Sequence, residues 1–480
     1  MFQTVLFGIL SFLMFYYFAL TLQWYSYKIK RVIFNFSKPL WHIWFLALPL
    51  LAKATCDYSG YGYAFSFFAA AYFVYFALWF KKLDKKLVFT QRIKRFVMGF
   101  SILFVFLFAF TKGGYPVSTF LLSAILSYLI SLRVERKVAQ EFENRAKERL
   151  LGINPIVIAV TASFGKTSIK NFLAHILSSS YKVYPTPASV NTKIGIIKDI
   201  NEKLPEDTQI YIVEAGARAK GDIAEIADLV SPHYSIIGKI GEAHIEYFKT
   251  LDNIRATKSE ILNSGRLKKA FAYENVKASG ENIVVFGYED GVRIFNAAST
   301  LNGVSFELEI NGARHSFEAP NILGSFNAIN ITAAILVALE IGMDLERIKE
   351  GVKTIPSVPH RLQKIVAGGK IILDDSFNGN FDGIKEGIEL CKTHAGQKTI
   401  VTCGLVESRD ELNIELAKII DDTFDLAIIT GELNKKLFEA NLKRCEAVFL
   451  KDKNELQNVL ATQTYSGSIV YFANDAPGYI

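Results

Sequence analysis

Gly165-Lys166-Thr167 closes a tight turn between an apolar run that starts at Ile156 and an apolar-periodic helix that reaches Leu177. In that setting the three residue types make a phosphate cradle. Backbone N–H groups at the helix start face the anion, Lys166 adds a point charge, and the Thr167 hydroxyl can reach a magnesium ion. The full Walker spacing Gly-x4-Gly-Lys is absent, since Val160 stands where its first glycine would be. A bare Gly-Lys-Thr triplet also occurs in ordinary strand–helix turns. Glu214 ends a second short buried strand, Ile210 to Glu214. Ligands of open α/β sheets sit at the carboxyl ends of the strands. Glu214 can therefore face phosphates, on a metal or through water, with a purely structural strand-end glutamate as the equal alternative. Taken alone, His244 reads as a capping or core histidine, Lys258 as a surface helix lysine, and Asn327 and Asn330 as caps at a helix start.

The elements that must position these residues begin after residue 132. From Ile156 to about Leu262 strands and helices alternate, which predicts a parallel α/β sheet. Tyr234 to Ile240 is one more apolar strand, and Asn253 to Glu260 is helical. From Asn282 to Phe317 short alternating strands with turns at Glu289-Asp290-Gly291 and Asn311-Gly312 predict an appended β meander. A strongly periodic helix follows through Leu339. Thr354-Ile355-Pro356-Ser357-Val358-Pro359 marks a boundary, after which strands at Lys370 to Leu373, Thr399 to Cys403, Asp425 to Thr430 and Ser468 to Phe472 fit a Rossmann-like terminal domain.

Half of the 480 residues are hydrophobic, and the excess lies almost wholly before residue 133. Apolar runs at 1–22, 40–52, 58–80, 96–111 and 117–132 predict about five membrane spans, the second being short and broken by Pro49. The first run lacks a basic leader and more spans follow, which argues against a cleaved signal peptide. The net charge of +7 does not indicate nucleic acid, because the cations flank the apolar runs. Lys28, Lys30, Arg31 and Lys38 follow the first run; Lys81, Lys82, Lys85, Lys86, Arg92, Lys94 and Arg95 follow the third; Arg133, Arg136 and Lys137 follow the fifth. The other two loops hold Lys53 and Lys112 alone. The positive-inside rule then puts the N-terminus outside and residues 133 onward in the cytoplasm, as a multi-pass protein of the inner membrane. Residues 133–152 read as a solvated charged helix that connects the two parts. The four cysteines, Cys56, Cys391, Cys403 and Cys445, have neither disulfide nor zinc spacing.

Several separated segments resemble the Mur ligases in order. Thr161 to Thr167 is similar to the family's Thr-Gly-(Thr/Ser)-x-Gly-Lys-Thr, with Ala162 in place of its glycine, and Asn191-Thr192-Lys193-Ile194-Gly195 partly matches Asn-Asn-x-Ile-Gly. The string from Val213 to Ile261 most resembles the type that adds D-alanyl-D-alanine to UDP-N-acetylmuramoyl-tripeptide. Gly324 to Asn330 resembles Gly-x-His-Asn-x-x-Asn with Phe326 for the histidine, Pro359-His360-Arg361 resembles Pro-x-Arg, and Asp374 to Asn380 resembles Asp-Asp-(Ser/Thr)-Tyr-Asn-Ala-Asn.

The resemblance implies a central ATP-binding domain over 153–355 and a Rossmann-like domain over 356–480, behind a transmembrane region at 1–132. It implies ATP and two magnesium ions. Ser163, Phe164, Gly165, Lys166, Thr167 and Ser168 would cradle the phosphates, Asn327 and Asn330 would lie near adenine, Arg361 would meet the phosphates, and Asp375 the ribose. Thr167, Glu214, His244 and Lys258 would serve metal, Lys258 as a carbamate that supplies hard oxygen. Lys166, His244 and Lys258 would act in catalysis, and Asn191, Asn378 and Asn380 would touch substrate. The implied reaction is an ATP-dependent amide ligation through an acyl phosphate, with UDP-N-acetylmuramoyl-tripeptide and D-alanyl-D-alanine as substrates and membrane lipid around residues 1–132. Two departures bear on the acceptor: membrane spans replace the family's uridine-nucleotide domain, and the tail Phe472 to Ile480 lacks its Lys-Gly-Ser-Arg segment. A membrane-anchored ligase of another amide, such as poly-γ-glutamate, and a non-catalytic membrane scaffold are the competing readings.

Overall fold

The structure, a computed structural model, describes residues 2–25, 27–34, 38–83, 85–242, 245–377, 380–406 and 408–474. His244 and Asn378, both expected at the site, lie outside the described residues. The chain forms two compact units, Met1–Glu141 and Phe142–Ile480.

Among the described residues, four helices are long and apolar enough to cross a membrane: Phe2–Trp24, Gly62–Lys81 and Gln91–Phe110 in the first unit, and Pro116–Ile153, which begins there. The second expected span is helical over residues 40–59, but it winds as a π-helix over Ile43–Ala47 and carries His42, Pro49, Lys53 and Asp57. Its charge is met internally, because buried Lys53 pairs with Asp57 one turn on. Aromatic rings fill the core of this unit: Phe15 stacks on Phe100 at 3.8 Å, and Phe45 lies 4.5 Å from Trp79. The charged stretch 133–152 is not a separate connecting helix. It continues the last apolar run as one helix of 38 residues, because nothing between Leu132 and Arg149 breaks the backbone pattern.

The second unit holds two sheets. The first has nine strands in the order β2-β3-β1-β4-β5-β6-β7-β8-β9, where β1 is Ile156–Thr161, β2 Val183–Pro185, β3 Ile210–Glu214, β4 Tyr234–Ile237, β5 Lys269–Tyr273, β6 Ile283–Gly287, β7 Val292–Thr300, β8 Gly303–Ile310 and β9 Ala313–Ala319. Strands β1 to β6 pair in parallel, and β7 to β9 form the expected antiparallel meander. Strand β6, expected in the meander, instead extends the parallel sheet. All residues of β3 and all but the first of β1 are buried, as strands covered by helices on both faces must be. The chain leaves β1 for β2 and β3 on one side and returns to β4 on the other. The carboxyl end of β1 is thus a switch point of the topology, where such sheets open a crevice.

The second sheet runs β10-β11-β15-β12-β13-β14, where β10 is Gln363–Ala367, β11 Lys370–Asp375, β12 Lys398–Thr402, β13 Leu426–Thr430, β14 Glu446–Leu450 and β15 Ile469–Ala473. It is parallel except for β10, which pairs antiparallel with β11. Strands β12, β13 and β15 fall at the expected places.

Candidate nucleotide and metal site

The turn after β1 leads into the helix Lys166–Ser178, with Gly165 as its N-cap at φ +82°. A side chain there would be strained, and an added Cβ would stand 2.5 Å from Asn330 Oδ1. Ala162 fits without strain, since its φ is not in the left-handed region. Its methyl is fully buried against Gly238, where a Cβ would come within 3.0 Å of it. The loop is fastened to the segment after β4: the Ser163 amide donates to Lys239 O at 3.0 Å, and Ser163 Oγ donates to Gly241 O at 3.0 Å. Phe164 packs on Gly241. Lys166 Nζ donates to the carbonyls of Ala162 and Ser163 at 2.9 and 3.1 Å, so its ammonium stays over its own loop.

Register puts Glu214 beside Val160, at the carboxyl end of the central strands. Thr167 Oγ1 donates to Glu214 Oε2 at 3.0 Å, and Asn191 Nδ2 donates to Oε1 at 3.0 Å. A residue not singled out in the sequence, Lys170, completes the group. Its Nζ lies 3.2 Å from Glu214 Oε2 and donates to Thr186 O and Ala188 O at 2.7 and 2.5 Å. Both ends of this ion pair are 1% exposed. Lys170 falls between Ile169 and Phe172 on the buried side of its helix, an orientation set by tertiary packing.

Lys258 lies near the end of the helix Leu251–Ser259 and is 4% exposed, which corrects the reading of it as a surface lysine. No described residue hydrogen-bonds or ion-pairs with its ammonium. Burial first, then the charge of Lys166, pull its pKa down to about 7, against the opposing pull of Asp222, Glu260 and Glu214. Burial likewise lowers the pKa of Lys166, with Glu214 opposing and Arg361 adding to the shift. Around one buried carboxylate the fold therefore gathers cations that favour a polyanion.

The helix Asn327–Glu340 starts beside the loop, with Phe326 at its N-cap position. Asn327 and Asn330 do not cap it, in contrast to their reading from the residues alone. Both are buried: Asn327 Nδ2 donates to Leu323 O at 2.7 Å, and Asn330 Nδ2 to Asn327 Oδ1 at 2.8 Å. Ser168, Asn327 and Arg361 line one narrow cleft with Phe172, Val358 and Leu362. A groove of about 450 Å³ adjoins it, lined by Asn302, Asn321, Ser357 and Lys364. Arg361 Nη1 donates to Phe377 O at 2.5 Å. Asp375 is 1% exposed, and its carboxylate accepts from the Leu362 amide at 2.9 Å and the Tyr471 hydroxyl at 3.3 Å. Asn380 caps the helix Phe381–Lys392, its Oδ1 accepting from the Gly383 amide at 2.8 Å. Lys239 reaches Asp382 at 3.2 Å, and the Ser325 amide donates to Glu386 at 2.7 Å, so segments outside the second sheet touch the helix Phe381–Lys392 that follows β11.

Residues 160–338 match the Mur ligase middle domain. Curated relatives of the chain include ligases of the MurF type. The UDP-N-acetylmuramoyl-tripeptide–D-alanyl-D-alanine ligase of Bacillus subtilis (strain 168) is 26% identical over 344 residues, covering 68% of this chain and 74% of the relative. The ligase of that name from Borreliella burgdorferi is 31% identical over 236 residues, 46% of this chain and 49% of the relative. MurF from Acinetobacter baumannii superposes with a TM-score of 0.61 at 24% identity, over 70% of this chain and 77% of that one. MurF from Thermotoga maritima, solved in complex with ADP, gives 0.61 at 24% identity, over 70% and 80%. At that identity the likeness is one of fold.

Proposed function

We propose that this chain is an ATP-dependent ligase of peptidoglycan-precursor synthesis that joins D-alanyl-D-alanine to UDP-N-acetylmuramoyl-tripeptide. The observation that carries the reading is the convergence of Lys166, Thr167, Glu214, Lys258 and Arg361 at the switch point of a Mur ligase fold whose relatives bear that name. The acceptor's terminal carboxylate attacks the γ-phosphorus of ATP, and ADP leaves. The amine of D-alanyl-D-alanine then adds to the acyl phosphate carbon, loses a proton, and phosphate departs with its bonding pair. Catalysis of such transfers rests on placing the phosphoryl group and neutralising its oxygens. Lys166 and the amides at the start of its helix serve the phosphates, and Arg361 meets them from the other sheet. Asn327 and Asn330 set the wall on the adenine side, and Asp375 the ribose side.

Glu214 and the Thr167 hydroxyl are hard oxygen donors of the kind magnesium takes, so the residues present fit that ion. No three His, Cys, Asp or Glu side chains gather as a metal site among the described residues, and further donors would come from His244 and from a carbamate on Lys258. Magnesium would supply positive charge to the phosphate oxygens. A carbamate on Lys258 suits a buried amine that has no hydrogen-bond or ion-pair partner among the described residues, because it turns a desolvated cation into an anion attracted by Lys166. Asn191 and Asn380 would touch the acceptor; Asn191 donates to Glu214, and Asn380 caps its own helix.

Four helices compatible with membrane association, and the basic clusters beside them, support a place on the cytoplasmic face of the inner membrane. A scaffold without catalysis would have no need of a cationic pocket buried around Glu214. The test follows phosphate release with ATP, magnesium, the muramyl tripeptide and D-alanyl-D-alanine, each omitted in turn. Release that needs all four supports the reading, and release with glutamate as sole acceptor would favour the poly-γ-glutamate ligase instead.

A further inference from the structure

Arg361 stands in a turn that the backbone does not favour. His360 has φ +61° and Leu362 φ +51°, so two side chains with a Cβ flank Arg361 in the left-handed region. The Arg361 amide closes the turn by donating to Val358 O at 3.1 Å, and Gln363 Nε2 bridges it by donating to Ser357 Oγ at 3.1 Å. Further contacts come from the end of β11. His360 Nδ1 lies 2.8 Å from Asp374 Oδ2, and Ser376 Oγ donates to Asp374 Oδ1 at 2.7 Å. The Phe377 amide donates to His360 O at 3.3 Å, and the Phe377 ring meets the imidazole edge-on at 4.8 Å. Asp374 offers acceptors only, so Nδ1 must carry the hydrogen.

Serine, histidine and aspartate together suggest a nucleophilic triad, but this geometry does not provide one. Ser376 Oγ lies 3.2 Å from Nδ1, the nitrogen that Asp374 already engages. A triad needs the serine and the carboxylate on opposite nitrogens. The trio has a mechanical use instead. Of the two neighbouring aspartates, Asp375 faces inward and takes the Leu362 amide, while Asp374 takes the His360 ring. The turn is thereby pinned on both sides of Arg361.

We infer that His360 is a positioning residue for Arg361: its imidazole, clamped by Asp374 and Ser376, holds the left-handed turn that aims the guanidinium into the nucleotide cleft. The inference rests on the reading that Arg361 meets nucleotide phosphates. The full chain, in detergent or nanodiscs, is tested for MgADP binding by calorimetry without any acceptor, and for the ATP KM and kcat of phosphate release. H360A should weaken MgADP binding and raise the ATP KM by about tenfold, the scale of a misplaced charge-assisted contact, with a smaller change in kcat. D374N should do the same, and the double variant should be no worse than either single one, because both break one clamp. H360N should recover part of the loss, since asparagine tolerates the left-handed region. Unchanged binding and KM in H360A would overturn the inference, as would multiplying effects in the double variant, or a fall in melting temperature and kcat with KM untouched. The MgADP arm needs no acceptor. A protein that ligates no muramyl peptide yet shows the expected binding changes would refute the proposed reaction and leave this inference standing.

Discussion

Glu214 accepts from Thr167 and Asn191 and pairs with Lys170, while Lys166, Lys258 and Arg361 add charge nearby. The Lys170 pair is buried at both ends, so removing one partner strands the other. Lys170→Met should destabilise the second unit by about 3–5 kcal/mol, read by denaturant unfolding, and Glu214→Gln in the same chain should restore part of that. A fully additive double variant would show that the pair is not coupled. Lys258 makes a different prediction, because the role proposed for it lies in the reaction more than in the fold. Lys258→Ala should remove turnover while leaving nucleotide binding measurable, and normal turnover would dismiss the carbamate. Sequence reasoning reached Lys258, Glu214 and Thr167 through motif order, yet missed Lys170. A lysine in an amphipathic helix is assigned to solvent by default, and only tertiary packing shows that this one points inward.

Between β1 and its helix, the short loop depends on Gly165. Gly165→Ala should weaken nucleotide binding and cost about 1–2 kcal/mol, because alanine is disfavoured at φ +82° and its methyl meets Asn330. Unaltered binding in that variant would show the loop to be more pliable than its packing implies. At the other end of the same strand, the Val157 amide donates to His233 Nδ1 at 3.0 Å. That bond needs the ring nitrogen unprotonated. Burial, then Arg266 and Lys268, hold the His233 pKa below its usual 6.5. The folded state thus prefers the neutral ring. Its contribution to stability is complete above about pH 6.5 and is lost as pH falls through the lower folded pKa. Melting temperature should decline on that side, and His233→Asn, which keeps an acceptor, should flatten the decline. An equal slope in both proteins would assign it to other groups. Most strands were legible from apolar runs and turn residues. Strand β6 reads from its residues as part of the meander and not of the parallel portion of the same sheet, because a short apolar run carries no mark of whether its neighbour is parallel or antiparallel. Asn327 and Asn330 look like caps in sequence, and their inward bonds to Leu323 and to each other depend on packing that no local pattern encodes.

For the whole molecule, apolar length and the placement of lysine and arginine make the two-part organisation readable, although the charged stretch after residue 132 is continuous with the last apolar run. The helical stretch 40–59 is the element on which the proposed orientation turns, since its crossing would make the span number odd. A cysteine placed at Lys112, in the turn between Phe110 and Pro116, should be labelled in intact cells by a maleimide that cannot cross membranes. Protection there, with labelling only after lysis, would reverse the topology or remove one span. The central claim is the ligation itself. Purified full-length protein with ATP, magnesium, UDP-N-acetylmuramoyl-tripeptide and D-alanyl-D-alanine should release one phosphate for each pentapeptide product found by mass spectrometry. Both should vanish when any one component is left out. Phosphate release without a new amide, or no release with any muramyl acceptor, would contradict the account.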